Sequence, residues 1–259
     1  MNYYYTLVLV EYIKKSKMED KAKVFDEIVN SRRSVRIYDE NAIWDEKIVE
    51  RSLERALLAP NSSNLQLWEF YRVKSNAKKD ELAKYCLGQN AAKTAKELIV
   101  IVVRKDKWKE RSQFVLNKAK EFMEVGDEER EKLITNYYGT LIPILYKNDP
   151  IGVSSLFKKI AVNVKGLKEP TPREVSGKDV DVIVHKSAAL AAQTFMLSVK
   201  AEGYDSCPME GFDSARVKQF LKLPKAAEIN MIISVGKGKE EGIYGPRVRV
   251  PKDKVLFTI

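Results

Sequence analysis

Arg32-Arg33-Ser34-Val35-Arg36 places three guanidiniums and a hydroxyl within five residues. Such a set holds a phosphate through charge-assisted, often bidentate hydrogen bonds, although a solvated basic turn would carry the same residues. Near the other end, Arg247 and Arg249 alternate with Val248 and Val250, so on extended chain both guanidiniums point the same way. Two arginine clusters from opposite ends of a chain can close around one phosphate if the fold brings them together. Between them lies Pro60-Asn61-Ser62-Ser63-Asn64-Leu65-Gln66-Leu67-Trp68. Its amides offer donor and acceptor side by side, which suits the edge of a heteroaromatic ring carrying carbonyl and NH groups; a turn satisfying its own backbone would read alike. In Pro208-Met209-Glu210-Gly211 the glycine lets a flat ligand approach the backbone and exposes amide N–H groups. One histidine, His185, and two cysteines outside any CxxC pair remove most metal sites, and every Ser-His-Asp arrangement that does not use His185.

The elements that must position these groups follow from hydrophobic spacing. Val24 to Ser31 reads as a helix with Val24, Phe25, Ile28 and Val29 on one face, running straight into the first arginine cluster. Asp45 can cap a second helix carrying Val49, Leu53, Ala56 and Leu57, which stops at Pro60. Trp68 to Val73 reads as a strand, Asn76 can cap a helix to Tyr85, and the apolar run Leu98 to Val103 reads as a buried central strand. Residues 105–180 form a charged, mostly helical stretch ending in a Pro- and Gly-bearing loop from Lys168 to Lys178. Lys186 to Glu202 is an Ala- and Leu-rich helix closed by Gly203, with His185 at its head as a cap or packing residue. Cys207 to Phe212 reads as a tight loop with Cys207 as inert packing, Asp213 caps a short helix to Leu221, and Ile229 to Val235 is another buried strand.

Composition bounds the rest. With 259 residues, 44% hydrophobic and 32% charged, the chain suits one ordinary domain with a full core. No repeat or linker divides it, so residues 24–259 are taken as a single domain and residues 1–23 as an N-terminal extension. In that extension Met1 to Tyr12 is apolar and Lys14, Lys15 and Lys17 follow, the reverse of a signal peptide's order. Ser16-Lys17-Met18-Glu19 reads as a capping box, and Met18 equally as an internal start. The net charge of +10 suits nucleic acid, an anionic membrane surface or an anionic cofactor, but acids interleave most basic residues as on a solvated helix face. No purely apolar run approaches the roughly 20 residues of a bilayer span, and the cysteine usage suits a reduced, cytoplasmic compartment.

Taken together and in order, Arg32-Arg33-Ser34, Pro60 through Trp68, Pro208-Met209-Glu210-Gly211-Phe212-Asp213 and Arg247-Val248-Arg249-Val250-Pro251 resemble the FMN-dependent nitroreductase family over about residues 24–252. The resemblance implies an α+β fold, a mixed β-sheet flanked by helices, in an intertwined homodimer with flavin sites at its interface. It implies that Arg32, Ser34 and Arg36, with Arg33 close by, contact the FMN phosphate, ribityl chain and pyrimidine carbonyl, and that Arg247 and Arg249 complete the phosphate clamp. Ser62, Ser63, Asn64 and Gln66 would meet the isoalloxazine from the partner subunit. The Pro208-Met209-Glu210-Gly211 loop would present the Glu210 and Gly211 amides toward flavin N5 and O4, where negative charge gathers on reduction. Two departures stand out: Leu67 replaces the family's proline before Trp68, and Arg36 stands where many relatives have lysine. The implied reaction is a ping-pong transfer of hydride from NAD(P)H through the flavin to a nitroaromatic, quinone or similar small electron-poor acceptor, with solvent supplying protons, Glu210 the carboxylate at hand, and no metal. Three other readings use the same residues: a same-fold flavoenzyme performing dehalogenation or ring chemistry, a flavin carrier without turnover, and a basic nucleic-acid-binding protein. In the divergent 105–180 stretch, Phe122, Tyr137 and Tyr138 suit either a lid over the site or plain core packing.

Overall fold

A computed structural model describes residues 20–123, 126–147 and 153–259; the apolar N-terminal run and the Ser16–Glu19 capping box lie outside the described residues. Every residue of strand Glu97–Val103 (β2) is buried, and its side chains alternate between two cores. Ile99, Ile101 and Val103 enter one cluster, whereas Leu98, Val100 and Val102 enter the other. That double burial is why the run is continuously apolar rather than alternating. Strand Trp68–Val73 (β1) pairs antiparallel with β2 from Trp68 opposite Val103 to Val73 opposite Leu98. Strands Asp205–Met209 (β3) and Glu228–Gly236 (β4) complete the order β1-β2-β4-β3. All three ladders are antiparallel, and the parallel component is a single bridge between Ser34 and Ser206.

Helices cover both faces. A first helix, α1, spans residues 20–31. Helices Lys47–Ala56 (α2) and Gly177–Ala201 (α9, numbered in chain order) pack on the Ile99 side, while Asn76–Tyr85 (α3), Asn90–Lys93 (α4) and Ser214–Phe220 (α10) lie on the Leu98 side. Between β2 and α9 run Trp108–Glu121 (α5), Glu128–Asn136 (α6), a π-turn at Tyr137–Leu141, Ile142–Tyr146 (α7) and Val153–Lys165 (α8). At the first residue of β2, Glu97, only 1% exposed, accepts two hydrogen bonds from Arg72, at 3.0 and 2.9 Å, pairing the buried carboxylate.

Several expectations are corrected. Ser75, not Asn76, occupies the N-cap of α3. Helix α9 begins at Gly177, nine residues before Lys186, where Ser176 and Asp179 form a capping box; His185 therefore lies inside the helix. At 25 residues α9 is long and apolar enough to cross a bilayer by length and composition, although charged residues interrupt any purely apolar run, and half of its most apolar window is buried in the core. The residues expected as a loop from Cys207 form β3 as far as Met209; Pro208 is tolerated because β3 is an edge strand. Val24 and Phe25 of α1 are exposed rather than packed.

Candidate functional site

Two segments far apart in sequence, residues 34–38 and 237–242, meet beside β3. Val35 N–H donates to Ser206 O at 3.2 Å, Arg36 N–H to Gly242 O at 2.9 Å and Lys239 N–H to Ile37 O at 3.0 Å, so residues 34–38 lie between the edge strand and residues 237–242. Only glycine fits there. A Cβ on Gly242 would stand 2.7 Å from Ile37 O, and one on Gly238 2.8 Å from Val35 Cγ1. Tyr38, 1% exposed, locks the segment by bonding the Ser234 hydroxyl at 2.8 Å and its carbonyl at 3.1 Å.

This sandwich brings Arg32, Arg33, Ser34, Arg36, Arg247 and Arg249 to the wall of one cleft of about 240 Å³, floored by residues 243–246. Five guanidiniums line it without a carboxylate, and among the described residues none of the five is paired with an acid. Arg33 donates to Gly245 O at 2.5 Å. Arg247 folds back to the carbonyls of Val29, Asn30 and Arg32, where a cation complements the C-terminal end of α1; Arg249 turns to Val248 O at 2.7 Å. The chain here is irregular, and the two guanidiniums share the cleft without the strand alternation expected of them. Arg36 also lies over the Tyr244 ring, 5.1 Å from its centroid. Burial, then repulsion from Arg247, Arg249 and Arg33, pulls the Arg32 pKa below its ordinary value. Among the described residues the cleft's positive charge has no acidic partner, as suits an anion site.

The Ser62–Gln66 loop is built under strain. Ser63, Asn64 and Gln66 have φ of 54°, 51° and 49°, left-handed values that oppose a Cβ. They are imposed from outside: Ser62 N–H donates to Ser187 Oγ on α9 at 3.2 Å, Gln66 N–H to Asn61 Oδ1 at 2.8 Å, and Tyr138 Oη to Ser63 O at 3.1 Å, with Tyr137 Oη 2.7 Å from Ser63 Oγ. Tyr137 and Tyr138 thus clamp this loop, while Phe122 is 83% exposed. Leu67, in the place of the family's proline, fills the core beside Trp68. Nearby, burial pushes the Tyr146 phenol up to about 12. None of Ser62, Ser63, Asn64 and Gln66 lines the arginine cleft of its own chain.

Beyond β3, Glu210 and Gly211 are exposed while Met209 is buried. Gln89, which the spacing of the sequence did not single out, donates from Nε2 to Gly211 O at 2.8 Å. Glu210 borders a second recess of about 380 Å³ with Asp181, His185, Lys186, Asn230 and Met231. There His185 Nε2 lies 3.0 Å from Glu228 Oε2 and its Nδ1 3.1 Å from Asn230 Nδ2, so both ring nitrogens are already engaged. Burial raises the thiol pKa of Cys207 against the pull of Arg36 and Arg32, and pushes that of Cys86 up to about 12, which leaves neither as a ready nucleophile. Among the described residues no cluster of three potential metal ligands occurs.

With this geometry in place, the chain is matched by the model of the Nitroreductase family over residues 29–141 and 162–237. It belongs to that family. DrgA of Synechocystis sp. is 27% identical over 237 residues, spanning 90% of this chain and 94% of DrgA. The NADH dehydrogenase of Thermus thermophilus is 25% identical over 234 residues, spanning 87% and 91%. Among solved structures, a protein of Exiguobacterium sibiricum in complex with FMN superposes with a TM-score of 0.66 at 22% identity, covering 91% of this chain and 97% of that one. The α+β fold is that of this family.

Proposed function

We propose that the protein is an FMN-dependent oxidoreductase that passes electrons from NAD(P)H to nitroaromatic, quinone or similarly electron-poor acceptors, and that it works as a homodimer. The observation that carries this reading is the arginine cleft, five guanidiniums from both ends of the chain with no acid among its lining residues. A phosphate monoester supplies the missing countercharge. Arg32, Arg33, Ser34, Arg36, Arg247 and Arg249 would hold that phosphate and the adjoining chain. From Ser206, bridged to Ser34, the main chain reaches Gly211 in five residues, at most about 17 Å when extended. Phosphate clamp and amide loop therefore lie within reach of one mononucleotide, and Pro208, Met209, Glu210 and Gly211 would hold the polar edge of its ring. Bound there, FMN supplies reversible two-electron chemistry that side chains do not. The Glu210 and Gly211 amides, just beyond the end of β3, would stabilise negative charge at that edge. The exposed Glu210 carboxylate is placed to hold or pass a proton in exchange with water.

The dimer follows from the division of the site. Ser62, Ser63, Asn64 and Gln66 are absent from their own chain's arginine cleft and their loop is fastened to Ser187, Tyr137 and Tyr138, so a second copy would bring them to the flavin. The exposed apolar residues Val24 and Phe25 on α1, and Val255, Leu256, Phe257 and Ile259 in the tail, offer surface for that association. The match to the Nitroreductase family, the Thermus thermophilus relative's name and the FMN complex of the Exiguobacterium sibiricum protein support the same reading.

The test is an absorption spectrum before and after denaturation, followed by anaerobic addition of NADH or NADPH, with the mass in solution measured by light scattering. Release of about one FMN per chain from a dimer, bleached by a pyridine nucleotide and recoloured by a nitroaromatic or quinone, is the expected result. A colourless monomer that cannot be reconstituted with FMN would overturn the proposal.

A further inference from the structure

The Glu210–Gly211 loop is not held by the sheet. Pairing between β3 and β4 ends at Met209 opposite Ile232, and both loop residues are exposed. What fixes the loop comes from the end of α3 and the turn after it. Asp213 N–H donates to Tyr85 O at 2.8 Å, and the two Nε2 hydrogens of Gln89 go to two carbonyls, Gly211 O at 2.8 Å and Cys86 O at 3.1 Å. The turn that presents Gln89 is itself unusual: Leu87 and Gly88 are consecutive left-handed residues, with φ of 58° and 66°. Gly88 meets that demand freely, but Leu87 does not. Its 71% exposed side chain reaches within 3.8 Å of where a Cβ on Gly211 would stand. An exposed leucine in a strained conformation contributes little to the core, and strain that persists at a surface turn points to a task performed there.

We infer that Gln89 is the positioning residue of the Glu210–Gly211 loop, its carboxamide fixing the Gly211 carbonyl and so the direction of the neighbouring amides; this rests on the flavin reading given above. The contact is between a partly exposed side chain and an exposed loop, so it adds little to global stability. It removes rotational freedom at the one glycine whose amide is to meet developing charge, where small misplacements are expensive. Gln89→Glu is close to isosteric but presents an acceptor to the Gly211 carbonyl, and Gln89→Ala removes the contact.

Both variants are compared with wild type as flavin-loaded enzymes for kcat, KM and flavin midpoint potential. Amide hydrogen exchange of residues 210–213 is followed in flavin-loaded and flavin-free protein, with Tm as the measure of fold. The expected result is an unchanged Tm, faster exchange at residues 210–213 with or without flavin, a more negative potential, and a loss of at least ten-fold in kcat, about 1.4 kcal/mol of barrier, with KM within two-fold. Unchanged exchange and potential in both variants, beside an active yellow wild type, would overturn the positioning role and leave the flavin reading standing. A wild type that cannot be loaded with FMN would overturn both; faster loop exchange in such a protein would then report a merely structural contact.

Discussion

Replacing Arg32 by glutamine separates an anion site from a structural arginine cluster, because the two give effects of opposite pattern. Arg32 makes no hydrogen bond or ion pair with its side chain among the described residues. Burial, and then Arg247, Arg249 and Arg33, disfavours its charged form. A cation whose pKa is lowered on folding costs stability wherever it remains charged, so R32Q should leave the Tm of flavin-free protein equal to or above that of wild type. With ligand the sign reverses. A hydrogen bond to a charged group contributes about 1.5–3 kcal/mol, which weakens FMN binding by roughly 10- to 150-fold at about 1.4 kcal/mol per factor of ten. At FMN about 100 times the wild-type Kd, binding stabilises the fold by about 2.7 kcal/mol, or about 5–11 °C for a chain of this size. With a Kd weakened about 100-fold the same concentration gives about 0.4 kcal/mol and a shift of about 1–2 °C. The assay is a pair of thermal melts, without and with FMN, supported by a flavin fluorescence titration. An R32Q protein that melts several degrees lower without ligand, yet keeps the full FMN shift, would refute the reasoning.

Gly242→Ala would set a Cβ 2.7 Å from Ile37 O and 2.8 Å from Ile37 N; overpacking against backbone costs about 1–3 kcal/mol, and a thermal melt should fall by about 2–12 °C, a wild-type melt excluding the close approach. Arg72→Met strands the buried Glu97 carboxylate at a cost of about 3–5 kcal/mol. In urea denaturation the double variant R72M/E97M should be more stable than R72M alone, and the reverse order would sink the argument. Hydrogen bonding from Arg51 first, and then from Arg55, holds the Glu202 carboxyl down at about 2. A depressed carboxyl pKa stabilises the fold above the ordinary value near 4.5 and loses that contribution as pH falls toward about 2. The Tm difference between wild type and Glu202→Gln should therefore be full at neutral pH, shrink below pH 4.5 and vanish near pH 2; a difference independent of pH would mean that packing, not charge, sets it.

Local pattern in the sequence and placement by the fold contributed differently to what could be read in advance. Strand Trp68–Val73 and helix Asn76–Tyr85 occupy the residues that spacing marks for them: the strand sends Trp68 and Phe70 to one core and Tyr71 and Val73 to the other, and the helix buries Leu82 and Ala83. Helix α9 is read nine residues short because its first turns carry Lys178, Asp179 and Asp181 on the outside, while Val180 and Val184 continue the buried stripe. Its Ser176-x-x-Asp179 start was the available signal. For β3, a strand through Pro208 is allowed only because β3 lies at the edge of the sheet, a position that local sequence does not reveal. Gln89 gave no spacing signal at all, since its bond to Gly211 joins residues 122 apart in sequence.

The chemistry of the candidate site was therefore legible where it is carried by side-chain type, and hidden where it depends on what each segment is attached to. Arginines 32, 33, 36, 247 and 249 could be named as candidate anion ligands from their guanidiniums. That they share one cleft depends on residues 34–38 sliding between β3 and residues 237–242, and on Gly238 and Gly242 leaving room for it. The Ser62–Gln66 loop is fastened elsewhere, to Ser187 of α9 and under Tyr137 and Tyr138, and those fastenings keep it out of its own chain's arginine cleft. A single fold thus fastens the two parts of the proposed site to different elements, which the homodimer proposed above would bring together.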